Sequence, residues 1–166
     1  MVEITPNERS ALHAISQMSD PDKLRNVIRN ARLNSSPTVE AAAFDRLCFV
    51  QPEATPGTVE HDVWQAVHAL EQMLLEERGK TVRLTRTRQK IARHGEAKTA
   101  ADLTMKSTPS QGFSDLLERR RPELTFEAIV LRHPKTFESE ILEAAKRRLL
   151  ANNVDLSKII QTSEGG

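Results

Sequence analysis

The sequence predicts an all-α protein. Helix caps recur along the chain, apolar residues recur at a period near 3.6, and strand-forming composition is thin. None of the 166 residues is tyrosine, six are glycine and aromatics make up 4%, which disfavours a large sheet. The expectation is a compact bundle of about seven to eight helices. It forms either a single domain over 1–161 or two lobes, 1–50 and 58–161, and 162–166 is a loose tail.

Thr5-Pro6-Asn7-Glu8 is a capping box with proline at the first helical position. The Thr5 hydroxyl can take an early amide and Glu8 can reach back to the cap. The helix that follows runs to about Met18, with Leu12, Ala14 and Ile15 inside. Ser19-Asp20-Pro21-Asp22 starts a second helix that buries Leu24, Val27, Ile28 and Ala31 on one face. Asn34-Ser35-Ser36-Pro37 ends it and caps a third, through Val39, Ala43, Phe44 and Leu47 to about Val50. A break follows at 51–57, rich in proline with a closing glycine.

Thr58 caps the longest expected helix, 58–78. Its stripe of Val63, Val67, Leu70 and Leu74, joined by Trp64, Ala66 and Met73, is the best core signal in the chain. Gly79 is a natural stop. Further helices are expected over 83–94, closed by Gly95, and over 96–105. A second break, 106–112, leads into a short helix with Phe113, Leu116 and Leu117. Thr125 caps another that stops at His133-Pro134. A longer one over 138–151 should bury Ile141, Leu142, Ala145, Leu149 and Leu150, before a last turn near 156–160.

Several function classes fall away on composition. The lone Cys48 sits in an apolar run and cannot form an internal disulfide. The N-terminal residues lack the basic-then-apolar pattern of a signal peptide, and no stretch is long and apolar enough to cross a membrane. A cytoplasmic protein with no membrane partner is expected.

The charge pattern carries the functional signal. Net charge is only +1, yet residues 51–77 hold six acids and no Lys or Arg, namely Glu53, Glu60, Asp62, Glu71, Glu76 and Glu77. Residues 78–94 hold seven cations and no acid: Arg78, Lys80, Arg83, Arg86, Arg88, Lys90 and Arg93. On a helix, Arg83, Arg86, Lys90 and Arg93 share one face, and Leu84, Thr87 and Ile91 share another. Like charges on one ridge repel, and a polyanion relieves that repulsion while releasing its counterions. Arg78, Lys80, Arg83, Arg86, Arg88, Gln89, Lys90 and Arg93 are therefore candidate nucleic-acid contacts, with Arg88 and Gln89 nearest the bases. Thr81, Thr85 and Thr87 add neutral donors. The expectation is a small DNA- or RNA-binding, or nucleic-acid-associated regulatory, protein. The alternative is a helical adaptor or regulatory subunit that docks a protein partner, or a second copy of itself, through its adjacent acidic and basic surfaces. A third arrangement folds the acidic helix back onto the ridge and neutralises it.

Helix 58–78, turn 79–82 and helix 83–94 make a weak helix-turn-helix outline. Arg119-Arg120-Arg121 and Lys146-Arg147-Arg148 are further basic clusters, read as solvated faces. Gly79-Lys80-Thr81 is no phosphate loop, because Leu74 stands where the first glycine belongs and a helix precedes it. Gly112-Phe113-Ser114-Asp115 lacks the second glycine of a nucleophile elbow. His61 and His68 lack the spacing of a helical zinc pair. His94 and His133 close helices, where a donor suits the dipole. Asp22, Lys23 and Glu40 match a nuclease set by type alone. No catalytic motif, metal site or cofactor is expected.

Overall fold

The computed structural model describes residues 3–161; the expected loose tail, 162–166, lies outside them. Among the described residues there are ten α-helices, one 3-10 turn and no strand. The count is slightly above the expected seven to eight: each segment expected to be helical is one, and the last turn near 156–160 closes into a further short helix. The chain divides into two compact units between Glu53 and Ala54.

The first unit is a three-helix unit of α1 (Pro6–Gln17), α2 (Pro21–Leu33) and α3 (Pro37–Val50). Each begins with proline at its first position, where the missing amide costs nothing and φ is already helical. The Thr5–Glu8 capping box is formed, and the second Glu8 oxygen accepts Ser36 Oγ at 2.7 Å, tying the start of α1 to the start of α3. α1 and α2 both pack on α3. Ile15, Leu24, Ile28, Ala31, Val39, Ala43 and Leu47 form the core. Ala14, expected inside, is exposed because Ala11, Ile15 and Met18 take the inward positions of α1. Arg46 Nε donates to Met18 O at 2.8 Å and satisfies a carbonyl at the end of α1.

The second unit is organised on α4 (Val59–Arg78). Thr58 Oγ accepts the His61 amide, and Gly79 ends the helix at φ 70°, a left-handed cap that only glycine adopts without strain. The expected stripe is buried: Val63, Ala66, Val67, Leu70 and Leu74 are all 3% exposed or less. α5 (Thr85–His94) and α6 (Glu96–Met105) follow, joined by Gly95 at φ 86°. α7 (Gln111–Glu118) starts on the Ser110 cap, and α8 (Phe126–Arg132) on the Thr125 cap after the turn Pro122–Leu124. α9 (Ser139–Ala151) and α10 (Leu156–Gln161) close the unit. α4 meets α6, α7 and α8, and α9 lies on α6 and α8.

Phe113, Ala128, Leu149 and Ile159 join α7, α8, α9 and α10 in one cluster. Leu150, expected inside, is 53% exposed: Ala145 and Leu149, four apart, are the inward pair of α9, and Leu150 lies more than a quarter of a turn round the helix from both. Arg148 ties three elements together. It donates to Glu127 Oε1 at 2.9 Å, to Leu103 O at 3.0 Å and to Lys106 O, reaching α8 and the end of α6 from α9. No helix of the described residues is long and apolar enough to cross a membrane.

Candidate nucleic-acid interface

The orientation of α5 is set from α4. Glu71 accepts Arg88 Nε at 2.8 Å and Arg88 Nη2 at 2.6 Å, and the oxygen nearer Nε also takes the Leu84 amide at 2.9 Å. Burial pushes the Glu71 carboxyl up, but the Arg88 and Leu84 hydrogen bonds, with the charges of Arg88 and His68, outweigh it. The net effect holds the group below its ordinary value. The Arg88 guanidinium also lies 5.4 Å from the centre of the Trp64 ring, whose Nε1 donates to Glu96 of α6 at 3.0 Å. Glu71, Arg88, Trp64 and Glu96 thus tie α4, α5 and α6 together.

This arrangement sorts the eight candidate residues. At roughly 100° per residue, Arg86, Lys90 and Arg93 fall within about 60° of one another, and Arg88 points to the opposite side with Leu84 and Ile91. Arg88 is withdrawn from the ridge: its Nε and Nη2 donate to Glu71. Arg83 lies outside the helix. The expected helix 83–94 begins at Thr85, because Glu71 holds the Leu84 amide and Arg83 O accepts the Thr85 amide in a turn. The connector from Gly79 to Leu84 is six residues long, so the outline with a turn at 79–82 is not a helix-turn-helix.

Arg83, Arg86, Gln89 and Arg93 are exposed and Lys90 is half-buried. Arg78 and Lys80 are exposed at the end of α4 and in the connector, with Arg78 beside Glu77. Lys80, Arg83, Arg86, Lys90 and Arg93 make no ion pair with any described residue. The acidic helix does not fold back over them. Of its acids, Glu71 serves Arg88, Glu77 serves Arg119 and Asp62 serves His133. The arrangement in which the ridge is neutralised from upstream holds for Arg88 alone.

Two features lay beyond reach of the sequence. Arg86 and Lys90 stand with Lys106, from the loop after α6, around the mouth of a cavity of about 320 Å³. Lys106 belonged only to a break at 106–112, and no spacing links it to residues sixteen and twenty positions earlier. His133 Nε2 and Asp62 Oδ2 are 2.6 Å apart, with Arg132 3.8 Å from the same oxygen. That places the histidine on a carboxylate as well as at a helix end.

The other basic clusters are partly consumed. Arg119 pairs with Glu77, Arg121 with Glu123 and Arg148 with Glu127. Among the described residues no group of three or more His, Cys, Asp or Glu side chains could hold a metal ion. No protein-family model matches the chain, and neither a curated protein nor a solved structure matches it. Function therefore rests on the geometry of the site.

Proposed function

We propose that the second unit binds nucleic acid through the exposed face of α5 and the connector before it. Arg83, Arg86, Lys90 and Arg93 hold backbone phosphates, Lys80 and Arg78 extend the contact toward the end of α4, and Gln89 is the neutral side chain available beside them. One observation carries this reading: Arg83 of the connector and Arg86, Lys90 and Arg93 of the ridge make no ion pair with any described residue, while Glu71 and Glu77 of α4 are occupied by Arg88 and Arg119. A cationic ridge without internal partners gains from a polyanion by charge neutralisation and counterion release. The rigid tie through Glu71 limits the ordering cost on binding.

The adaptor reading draws less support. Its acidic surface needs free carboxylates, and Asp62, Glu71 and Glu77 are already engaged within the unit.

The test is fluorescence anisotropy with labelled single- and double-stranded DNA and RNA at low salt, on the parent and on Arg83→Gln/Arg93→Gln. Arg93 lies on the ridge and Arg83 in the connector before α5, and neither lines the cavity. Binding by the parent and an affinity loss of tenfold or more, about the effect of two lost phosphate contacts, support the reading. Equal affinity for both proteins, or no binding by the parent, ends it.

A further inference from the structure

The cavity shares Arg86 and Lys90 with the ridge. It lies inside the second unit, between α4, α5, α6 and α7, and its volume of about 320 Å³ is at the small end of the ligand-pocket range. Its floor is apolar: Val67 and Leu70 of α4, Leu103 of α6, and Phe113 and Leu116 of α7. Gly112 also lines it. An added Cβ there would lie 3.7 Å from Leu70 Cδ2, so the missing side chain leaves part of the space.

The polar groups of the wall fall into two sets. One set is already committed. Ser110 Oγ accepts the Phe113 amide, Gln111 Nε2 donates to Asp115, Thr125 Oγ1 donates to Pro122 O while accepting the Ala128 amide, and Glu127 accepts Arg148. The Ser110 hydroxyl keeps its donor and the Gln111 amide its oxygen, but neither carries a charge. The second set is the Thr87 hydroxyl and, at the mouth, Arg86, Lys90 and Lys106, whose charged ends make no ion pair with described residues. The charge offered to a ligand comes from three cations at the edge of an apolar floor.

From this geometry we infer that the cavity binds a small amphipathic anion. A short alkyl or aryl body fills the floor, and a carboxylate or phosphate head sits against Arg86, Lys90 and Lys106. The apolar body gains by burial, and the head by charge-assisted hydrogen bonds. The inference stands apart from the nucleic-acid reading: it needs the cavity and its mouth, and it holds whether or not an oligonucleotide binds.

The experiment is isothermal titration of the full chain with decanoate, decyl phosphate and 1-decanol, each below its aggregation limit. Decanoate or decyl phosphate, or both, should bind, and the one that binds identifies the head. Decanol should bind at least about tenfold more weakly, the loss expected when charge-assisted contacts are removed. Gly112→Leu should abolish binding, since its side chain occupies the floor, while Gly112→Ala, checked as folded by circular dichroism, should keep it. Should Gly112→Leu not fold, amide shifts on adding decanoate provide the second measure, with changes expected at Thr87, Lys106 and Gly112. Lys90→Gln/Lys106→Gln should weaken the anions and leave decanol unchanged. Neither anion binding, decanol binding as well as the anions, or shifts confined to residues away from the cavity would overturn the inference.

Discussion

Glu71 of α4 holds Arg88 of α5 with two hydrogen bonds, of 2.8 and 2.6 Å, and the same carboxylate takes the Leu84 amide. One acid therefore helps fix where α5 starts and, together with the buried Ile91 and the packing of α5 on α6, which of its sides faces inward. The ridge of Arg86, Lys90 and Arg93 points out because Arg88, on the opposite side, points in. The first prediction tests that link. Glu71→Ala should lower stability by roughly 1–3 kcal/mol, the range for losing a charge-assisted pair that is partly shielded from water. Chemical denaturation of the parent and variant measures it. Amide exchange over residues 84–94 should rise more than over α9, because the loss is local to the seat of α5.

Acidification separates two carboxylates with opposite shifts. Glu71 is held low: burial opposes its charge, but the Arg88 and Leu84 hydrogen bonds, with the charges of Arg88 and His68, prevail. Its contribution is fully present above the ordinary value of 4.5 and is lost as pH falls through the lower folded value. Glu127 is pushed up by burial, against its own amide and Arg148. Keeping it charged costs stability at neutral pH, and that cost fades as pH falls from its raised value toward 4.5. Stability profiles of Glu71→Gln and Glu127→Gln should therefore converge on the parent from opposite sides: the first is less stable than the parent at neutral pH, and the second is as stable or more so.

Two glycines should answer alanine with opposite signs. Gly79 caps α4 at φ 70°, so Gly79→Ala should destabilise by about 1 kcal/mol. Gly112 has an ordinary helical backbone in α7 and room for a Cβ. Gly112→Ala should stabilise by roughly 0.5–1 kcal/mol through helix propensity. Thermal unfolding of both variants checks this, and equal shifts would contradict it.

The shared cations predict competition. Arg86 and Lys90 belong to both the ridge and the cavity mouth, so an anion seated there neutralises part of the phosphate contact. Decanoate should weaken oligonucleotide binding severalfold in the parent and leave it unchanged in Gly112→Leu. By reciprocity, the oligonucleotide should weaken decanoate by the same factor. Paired titrations measure both sides.

Much of the helical fold was legible along the chain because its signals are local. The Thr5, Thr58 and Thr125 caps and the Gly79 stop act over one turn, and the Val63–Val67–Leu70–Leu74 stripe repeats on one helix. The errors at Ala14 and Leu150 arose where two neighbouring apolar residues compete for one inward position. The site was half legible. Spacing placed Arg86, Lys90 and Arg93 on one side, but not the Glu71–Arg88 pair, which joins residues seventeen apart and turns one cation inward. Lys106 was out of reach, because only the packing of α6 beside α5 brings it to the cavity that Arg86 and Lys90 line.

The most direct test of the central claim is the salt dependence of oligonucleotide affinity, for the parent and for Arg83→Gln/Arg93→Gln. Plotted as log affinity against log salt, the parent slope should exceed the variant's by about 1.5–2, since each lost phosphate contact to B-form DNA removes about 0.9. Identical slopes would show that these cations meet no phosphate and would contradict the account.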